Sequence, residues 1–335
     1  MGITHLVLSG GGVKGFATLG SLHYLVKKHI LNLNKIRVFA GSSVGAIISL
    51  LLVCGYTPKE LFKALYRVNM SQLLDLDIDK LFTHYGFDTG VKLVTLIKDL
   101  MKIKSIDPSI TFIRLYNLTK QKLIVTATSL NKRTVKYFDY IKTPNYCVID
   151  VIRASFGIPV MLTTVKDGEE HFVDGGLLDN FPIHLFPNVP SSSILAIKFV
   201  KTKDLPNEEQ FVKINSIIDV IFANIGCLLE EIEHLRSMMN PDAYYNSSIF
   251  IDTQQFHTLN FDIDKKGKKV LFNIGKSAAL AYINSDKYLI MMIKEQLNVT
   301  IQTKIWKYVH ASKMTAVHNE LRLKNVDNTL NGRGI

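Results

Sequence analysis

The pentapeptide Gly41-Ser42-Ser43-Val44-Gly45 constrains this chain more than any other stretch, because of what flanks it. Ile36 to Ala40 reads as a short buried strand, and Ala46 to Val53 as an apolar helix. A G-x-S-x-G between a strand and a helix is a nucleophile elbow, a turn sharp enough to thrust one hydroxyl out of the sheet. Glycines flank it because side chains there would collide across the turn. The spacing assigns the nucleophile to Ser43, with Gly41, Ser42, Val44 and Gly45 as supporting members of the motif. The competing reading is a serine that only caps the helix that follows.

A second glycine-rich turn, Gly10-Gly11-Gly12-Val13-Lys14-Gly15, follows a strand predicted over Thr4 to Ser9 and leads into a helix predicted over Phe16 to His29. Such turns expose several backbone N–H groups beside a positive helix end. A dinucleotide fingerprint would need an acidic residue at the end of the second strand. That strand instead ends in Ala40-Gly41 and runs into the elbow. A phosphate-binding P-loop would need G-K-[ST], which is missing. The third use is an oxyanion hole facing Ser43 from the neighbouring strand end, and it employs both loops together.

A serine nucleophile needs a base, and Asp174-Gly175-Gly176 offers a carboxylate at the end of a strand over Glu170 to Val173. Aspartate ordinarily has a pKa of about 3.9, so it is ionised at neutral pH; it takes a hydroxyl proton only in direct hydrogen-bond contact. Alone, D-G-G is a plain turn. With the elbow and the glycine loop, it becomes the candidate base. A Ser-His-Asp arrangement would need one of His184, His234, His257, His310 or His318, none of which stands in a distinctive loop.

At 335 residues and 47% hydrophobic, the chain can bury one large domain, with or without an appendage. Cys54, Cys147 and Cys227 are too few and too far apart for a disulfide framework or a zinc site, and Cys54 and Cys227 are expected in the core. No signal peptide is evident, and the longest unbroken apolar runs are far short of a membrane span. An intracellular protein, cytoplasmic or peripheral on membranes, is therefore expected. The net charge of +11 favours acidic partners, and residues 92–142 hold eleven Lys/Arg against three Asp. Such charge is either a solvated face or a dock for anionic lipid. Nucleic acid is not expected, because no recognition-helix or RNP-type pattern accompanies it.

Strands and helices alternate, which predicts an α/β sheet covered on both faces. Thr57-Pro58-Lys59-Glu60 opens a helix with a capping box. Residues 71–104 read as amphipathic helix interrupted at Gly86 and Gly90, and Lys122 to Ser129 pairs with Val135 to Tyr140 as a hairpin. Further elements are a helix over Asp150 to Phe156, a buried strand over Ile194 to Val200, a strand over Tyr245 to Asp252, and a mostly helical Val270 to Leu297. Ile214, Ile217, Ile218, Ile221, Ile225, Leu228, Ile232 and Leu235 form a helical stripe expected to pack as core. Lys203 to Gln210 is the best linker, and the chain from Gln302 onward is polar, its last residues expected to fray.

The three motifs, in this order and with Asp174 continuing as Leu177-Leu178-Asp179-Asn180-Phe181-Pro182, resemble the patatin-like phospholipase family. Ala154-Ser155-Phe156-Gly157-Ile158-Pro159 is similar to another family segment, with Gly157 where alanine is usual, as is the lead-in from Thr111-Phe112 to Ser129. The resemblance covers residues 4–200 and implies a three-layer α/β/α sandwich with a mostly parallel central sheet. Residues 201–335 would be a helical C-terminal extension packing on the same domain. It also implies a Ser43–Asp174 dyad without histidine, an acyl-enzyme, and an oxyanion hole at Gly10, Gly11 and Gly12, with Gly10 shaping the turn. Lys14 takes the family's basic position, and Asn180 and Pro182 brace the Asp174 loop. No metal or cofactor is implied. The substrate would be a phospholipid or other lipid ester met at a membrane surface; phospholipid, lysophospholipid and acylglycerol stay open, as does a lipid or protein activator. The alternative is a non-catalytic lipid- or membrane-binding module with a basic surface.

Overall fold

Alternation along the central strands sends successive side chains into two separate apolar clusters. Leu6, Leu8, Phe39, Leu123, Val125, Leu195 and Ile197 join one. Their neighbours Val7, Ala40, Ile124, Ile194 and Ala196 join the other. Period-two alternation of this kind means a sheet buried on both faces. The computed structural model describes residues 2–200, 214–239, 241–253 and 256–285.

The chain begins β1 (His5–Leu8), α1 (Gly15–Lys27), β2 (Val38–Gly41), α2 (Val44–Val53) and α3 (Pro58–Tyr66). It continues through α4 (Ile78–His84), β3 (Gly86–Asp88), α5 (Val91–Ile103), α6 (Phe112–Thr119), β4 (Lys122–Ser129) and β5 (Thr134–Phe138). Next come α7 (Val148–Ser155), β6 (Val160–Leu162), β7 (Val165–Asp167), β8 (Glu170–Asp174) and α8 (Gly176–Asp179). The described part closes with β9 (Ile194–Val200), α9 (Ile217–Ser237), α10 (Pro241–Asn246), β10 (Ser248–Asp252) and α11 (Lys265–Ile283).

The main sheet runs β10-β9-β1-β2-β4-β8-β7, with β5 also on β4. From β10 to β4 every pairing is parallel, and β5, β7 and β8 add antiparallel ones. This is the expected three-layer α/β/α sandwich. From β1 the chain steps to β2 on one side and later returns to β9 on the other. Open α/β sheets form their ligand crevice at the carboxyl ends of strands where the order switches like this. The glycine loop follows β1 there.

Register explains how the elbow and Asp174 converge. Val125 pairs with Gly41 of β2 and with Phe138 of β5, so β2 and β5 lie on opposite edges of β4. Ala127 pairs with Lys136 of β5 and with Asp174 of β8, so β8 shares the edge used by β2. The two strands therefore abut head to head, their carboxyl ends two positions apart along β4, about 7 Å.

The described residues between 214 and 285 belong to the same compact unit. β10 extends the sheet on β9, and α11 crosses α1 backbone to backbone. A Cβ on Gly20 would overlap the Phe272 carbonyl, and one on Gly275 would overlap that of Ala17. Ser21 Oγ donates to the Gly275 carbonyl at 2.6 Å across this contact.

Several expectations change. The helical reading of 71–104 fails at Gly86, which opens β3 against β6. Tyr85, at φ 62°, ends α4, and strand pairing then overrides the local amphipathic pattern. The apolar stripe of α9 is not core: Ile217 is 72% exposed and Leu228 65%. Polar side chains anchor this helix instead, through Arg236 Nε to the Leu178 carbonyl (2.8 Å) and Glu233 to Lys198 (2.9 Å), which leaves much of the stripe outward. Cys227 is accordingly exposed, whereas Cys54 is buried as expected. Tyr245 lies in α10, and the strand starts at Ser248. The linker over Lys203 to Gln210, the helix beyond Ser285 and the tail from Gln302 lie outside the described residues.

The α1–α11 contact predicts a large asymmetry between glycines. Gly275→Ala should lower unfolding free energy by about 1–3 kcal/mol or more in urea titration. Gly226→Ala in α9, with no atom within 4 Å of the added methyl, should be neutral or stabilising by up to about 1 kcal/mol.

Candidate active site

Ser43 sits between β2 and α2 with φ 50° and ψ −126°, a conformation that L-residues adopt only under constraint. The turn is as tight as its sequence requires: a Cβ on Gly41 would lie 2.5 Å from the Gly45 carbonyl carbon. Ser42 is fully buried, and its carbonyl accepts the Gly45 N–H at 2.8 Å. Val44 begins α2, whose positive end points at the serine.

Ser43 Oγ donates to Asp174 Oδ2 at 2.7 Å. The other carboxylate oxygen accepts the Gly176 N–H at 2.7 Å, and the Asp174 carbonyl accepts Thr128 Oγ1 at 3.0 Å. Ser43 is 6% exposed and Asp174 7%. Burial pushes the Asp174 pKa up to about 6, against the opposing pull of the Ser43 and Gly176 hydrogen bonds. The carboxyl is therefore far from its ordinary value near 3.9, and still ionised above pH 7.

The glycine loop faces this pair. A Cβ on Gly10 would come within 3.0 Å of Ser43 Cβ. The Gly10 N–H is already committed to the Asn180 carbonyl at 3.3 Å, so Gly10 shapes the turn and donates nothing further. The N–H groups of Gly11 and Gly12 meet no acceptor among the described residues, and neither does that of Val44. Val13 is buried and donates its N–H to the Thr258 carbonyl at 3.2 Å. Gly15 opens α1 against Val44. Lys14 Nζ lies 6.0 Å from the Phe199 ring centroid.

Behind Asp174, Gly175 donates to the Ser155 carbonyl at 3.2 Å. The following residues are tied to α9 through Asn180 Nδ2 to Glu233 (3.4 Å) and the Arg236–Leu178 bond. No described histidine is hydrogen-bonded to Ser43 or Asp174. His184 is half-buried beside Asp179 and Arg236, while His234 and His257 are exposed. His310 and His318 lie outside the described residues. Sequence reasoning assigned no role to Ser155, Thr128, Phe199 or Thr258. The last two reach the glycine loop from more than 180 positions away, and no local pattern signals that. Among the described residues no group of three or more His, Cys, Asp or Glu side chains is placed to hold a metal ion.

A family model described as patatin-like phospholipase matches residues 6–187, which include the glycine loop, Ser43 and Asp174. The chain belongs to the patatin-like phospholipase family. Among its relatives by sequence, a probable lipid hydrolase (463L) of Invertebrate iridescent virus 6 is 31% identical over 225 residues, 66% of this chain and 72% of that one. Protein R571 of Acanthamoeba polyphaga mimivirus is 28% identical, with 82% of this chain and 91% of that one covered. In fold, the chain is similar to VipD of Legionella pneumophila at a TM-score of 0.53 and 17% identity, covering 85% of this chain and 67% of VipD. The type III effector ExoU gives 0.51 at 16% identity, with 86% of this chain covered but only 54% of ExoU.

Because the folded state raises the Asp174 pKa, it holds that proton more tightly than the unfolded chain does. The cost of burying the charge is absent below about pH 4, where both states are protonated, and grows as pH rises through about 6. Asp174→Asn should therefore be more stable than the parent at pH 8, by up to about 3 kcal/mol, with the gap closing toward pH 4. Thermal melts of the two proteins across this range measure it.

Proposed function

We propose that this protein hydrolyses carboxylic esters of lipids, with Ser43 as nucleophile and Asp174 as the proton-transfer group. The observation that carries this reading is the 2.7 Å hydrogen bond from Ser43 Oγ to Asp174 Oδ2 in a buried site. As Ser43 Oγ bonds to the acyl carbon, its proton passes to Asp174. The carbonyl oxygen gains negative charge and is stabilised by the N–H groups of Gly11 and Gly12. Asp174 returns the proton to the departing alcohol, leaving the acyl group on Ser43. Water then attacks the acyl-enzyme, Asp174 takes its proton, and Ser43 recovers that proton as the fatty acid leaves. A base with pKa near 6 suits this shuttle, since it can both accept and release a proton near neutral pH.

Family membership and the lipid-hydrolase name of the viral relative support a lipid ester as substrate. Among the described residues no helix is long and apolar enough to cross a membrane. The basic charge instead suits docking at an anionic lipid surface, where substrate resides. A lipid-binding module without catalysis would have no need for a serine hydroxyl aimed at a desolvated carboxylate.

A fluorophosphonate should label the parent protein covalently and leave Ser43→Ala unmodified. Ser43→Ala and Asp174→Asn should each lower turnover of defined phospholipids by about a thousandfold or more, followed by mass spectrometry of products, which also identifies headgroup and acyl position. The acid limb of the kcat/KM profile should bend near pH 6. Lipid hydrolysis undiminished in Ser43→Ala would overturn the reading.

A further inference from the structure

β2 and β8 end head to head on one edge of β4, so no hydrogen-bonded ladder runs between them. β4 sets their spacing to about a strand repeat, which is coarser than the roughly 0.5 Å that a reactive pair needs. The C-terminal turn of α7 supplies the missing connection. Ser155, fully buried, accepts the Ser43 N–H on its Oγ at 3.0 Å. Its carbonyl accepts the Gly175 N–H at 3.2 Å, and the Gly157 carbonyl accepts the Asp174 N–H at 2.8 Å. One short turn thus grips both halves of the site.

The geometry points to Ser155 as a positioning residue that sets the reach between the Ser43 hydroxyl and the Asp174 carboxylate. The proposal rests on the reading of those two residues as nucleophile and base. Its physical logic lies in the Ser43 backbone. At φ 50° and ψ −126° the serine is not in a favoured well, so the direction of its Cα–Cβ bond depends on what holds the flanking peptides. The peptide before Ser43 presents its N–H to Ser155 Oγ, and this bond fixes the plane from which the side chain departs. On the other side, the Ser155 carbonyl holds the peptide just after Asp174. Removing the hydroxyl leaves a buried N–H without a partner and frees the elbow to relax.

The test uses Ser155→Ala and the closer-volume Ser155→Cys in the full chain, with rates normalised per site labelled by a fluorophosphonate. A short-chain p-nitrophenyl ester serves as substrate. The expected result is a fall in kcat of about 10- to 100-fold in Ser155→Ala with KM changed less than about twofold. Ser155→Cys, a weaker acceptor, should lie between it and the parent. The labelling rate should fall in parallel. The acid-limb inflection should move above its starting value near 6, because a misaligned Ser43 donates less well to the carboxylate. Normal kcat per labelled site and an unmoved inflection in both variants, even with a lowered melting temperature, would reduce Ser155 to a structural residue and overturn the proposal. Ser43→Ala separates the two levels: its retention of esterase activity would remove the dyad reading itself. Its inactivity beside a fully active Ser155→Ala would remove the positioning role alone.

Discussion

The site depends on one feature of strand packing, the head-to-head meeting of β2 and β8 on the same edge of β4. A parallel neighbour ends at Gly41, and an antiparallel one arrives from the opposite direction and ends at Asp174. Each strand delivers its last residues into the same gap. A fully parallel sheet could not do this, since all its strands on one edge would run past each other in the same sense. The antiparallel tail of an otherwise parallel sheet is thus what turns a strand-end aspartate toward a strand-end serine.

Desolvation then sets the chemistry of that gap. A carboxylate in water at its ordinary pKa is a poor acceptor for a hydroxyl proton. Buried, with two hydrogen bonds that only partly offset the loss of water, Asp174 becomes a stronger base while staying ionised at neutral pH. In the proposed dyad Asp174 takes the role that histidine commonly fills because its pKa already lies near neutrality. Here burial moves an aspartate into the same range. The glycine loop approaches the serine from the switch point at β1, and its Gly11 and Gly12 N–H groups have no partner among the described residues.

Much of this was legible in the sequence, and the reason is local. The elbow, the glycine loop and the D-G-G turn are each set by residues within about six positions, where steric exclusion and backbone conformation leave few choices. The capping box at Thr57 and Glu60 was readable for the same reason, and both of its hydrogen bonds form. The apolar stripe of α9 was misleading because periodicity reports which residues share a face, not which face meets the sheet. Arg236 and Glu233 decide that by finding partners on the Asp174 loop and β9. The strand at Gly86 was hidden because its partner, β6, lies more than 70 positions away.

The sequence by itself determined the candidate reactive groups, the strained turn that carries Ser43 and the α/β layering, all consequences of short-range sterics and hydrophobic alternation. Only the tertiary structure decided which acid comes within 2.7 Å of that serine across 131 positions, how far burial raises its pKa, and that Ser155 grips both sides. Those outcomes follow from strand register and from exclusion of water, and neither exists until the sheet has closed.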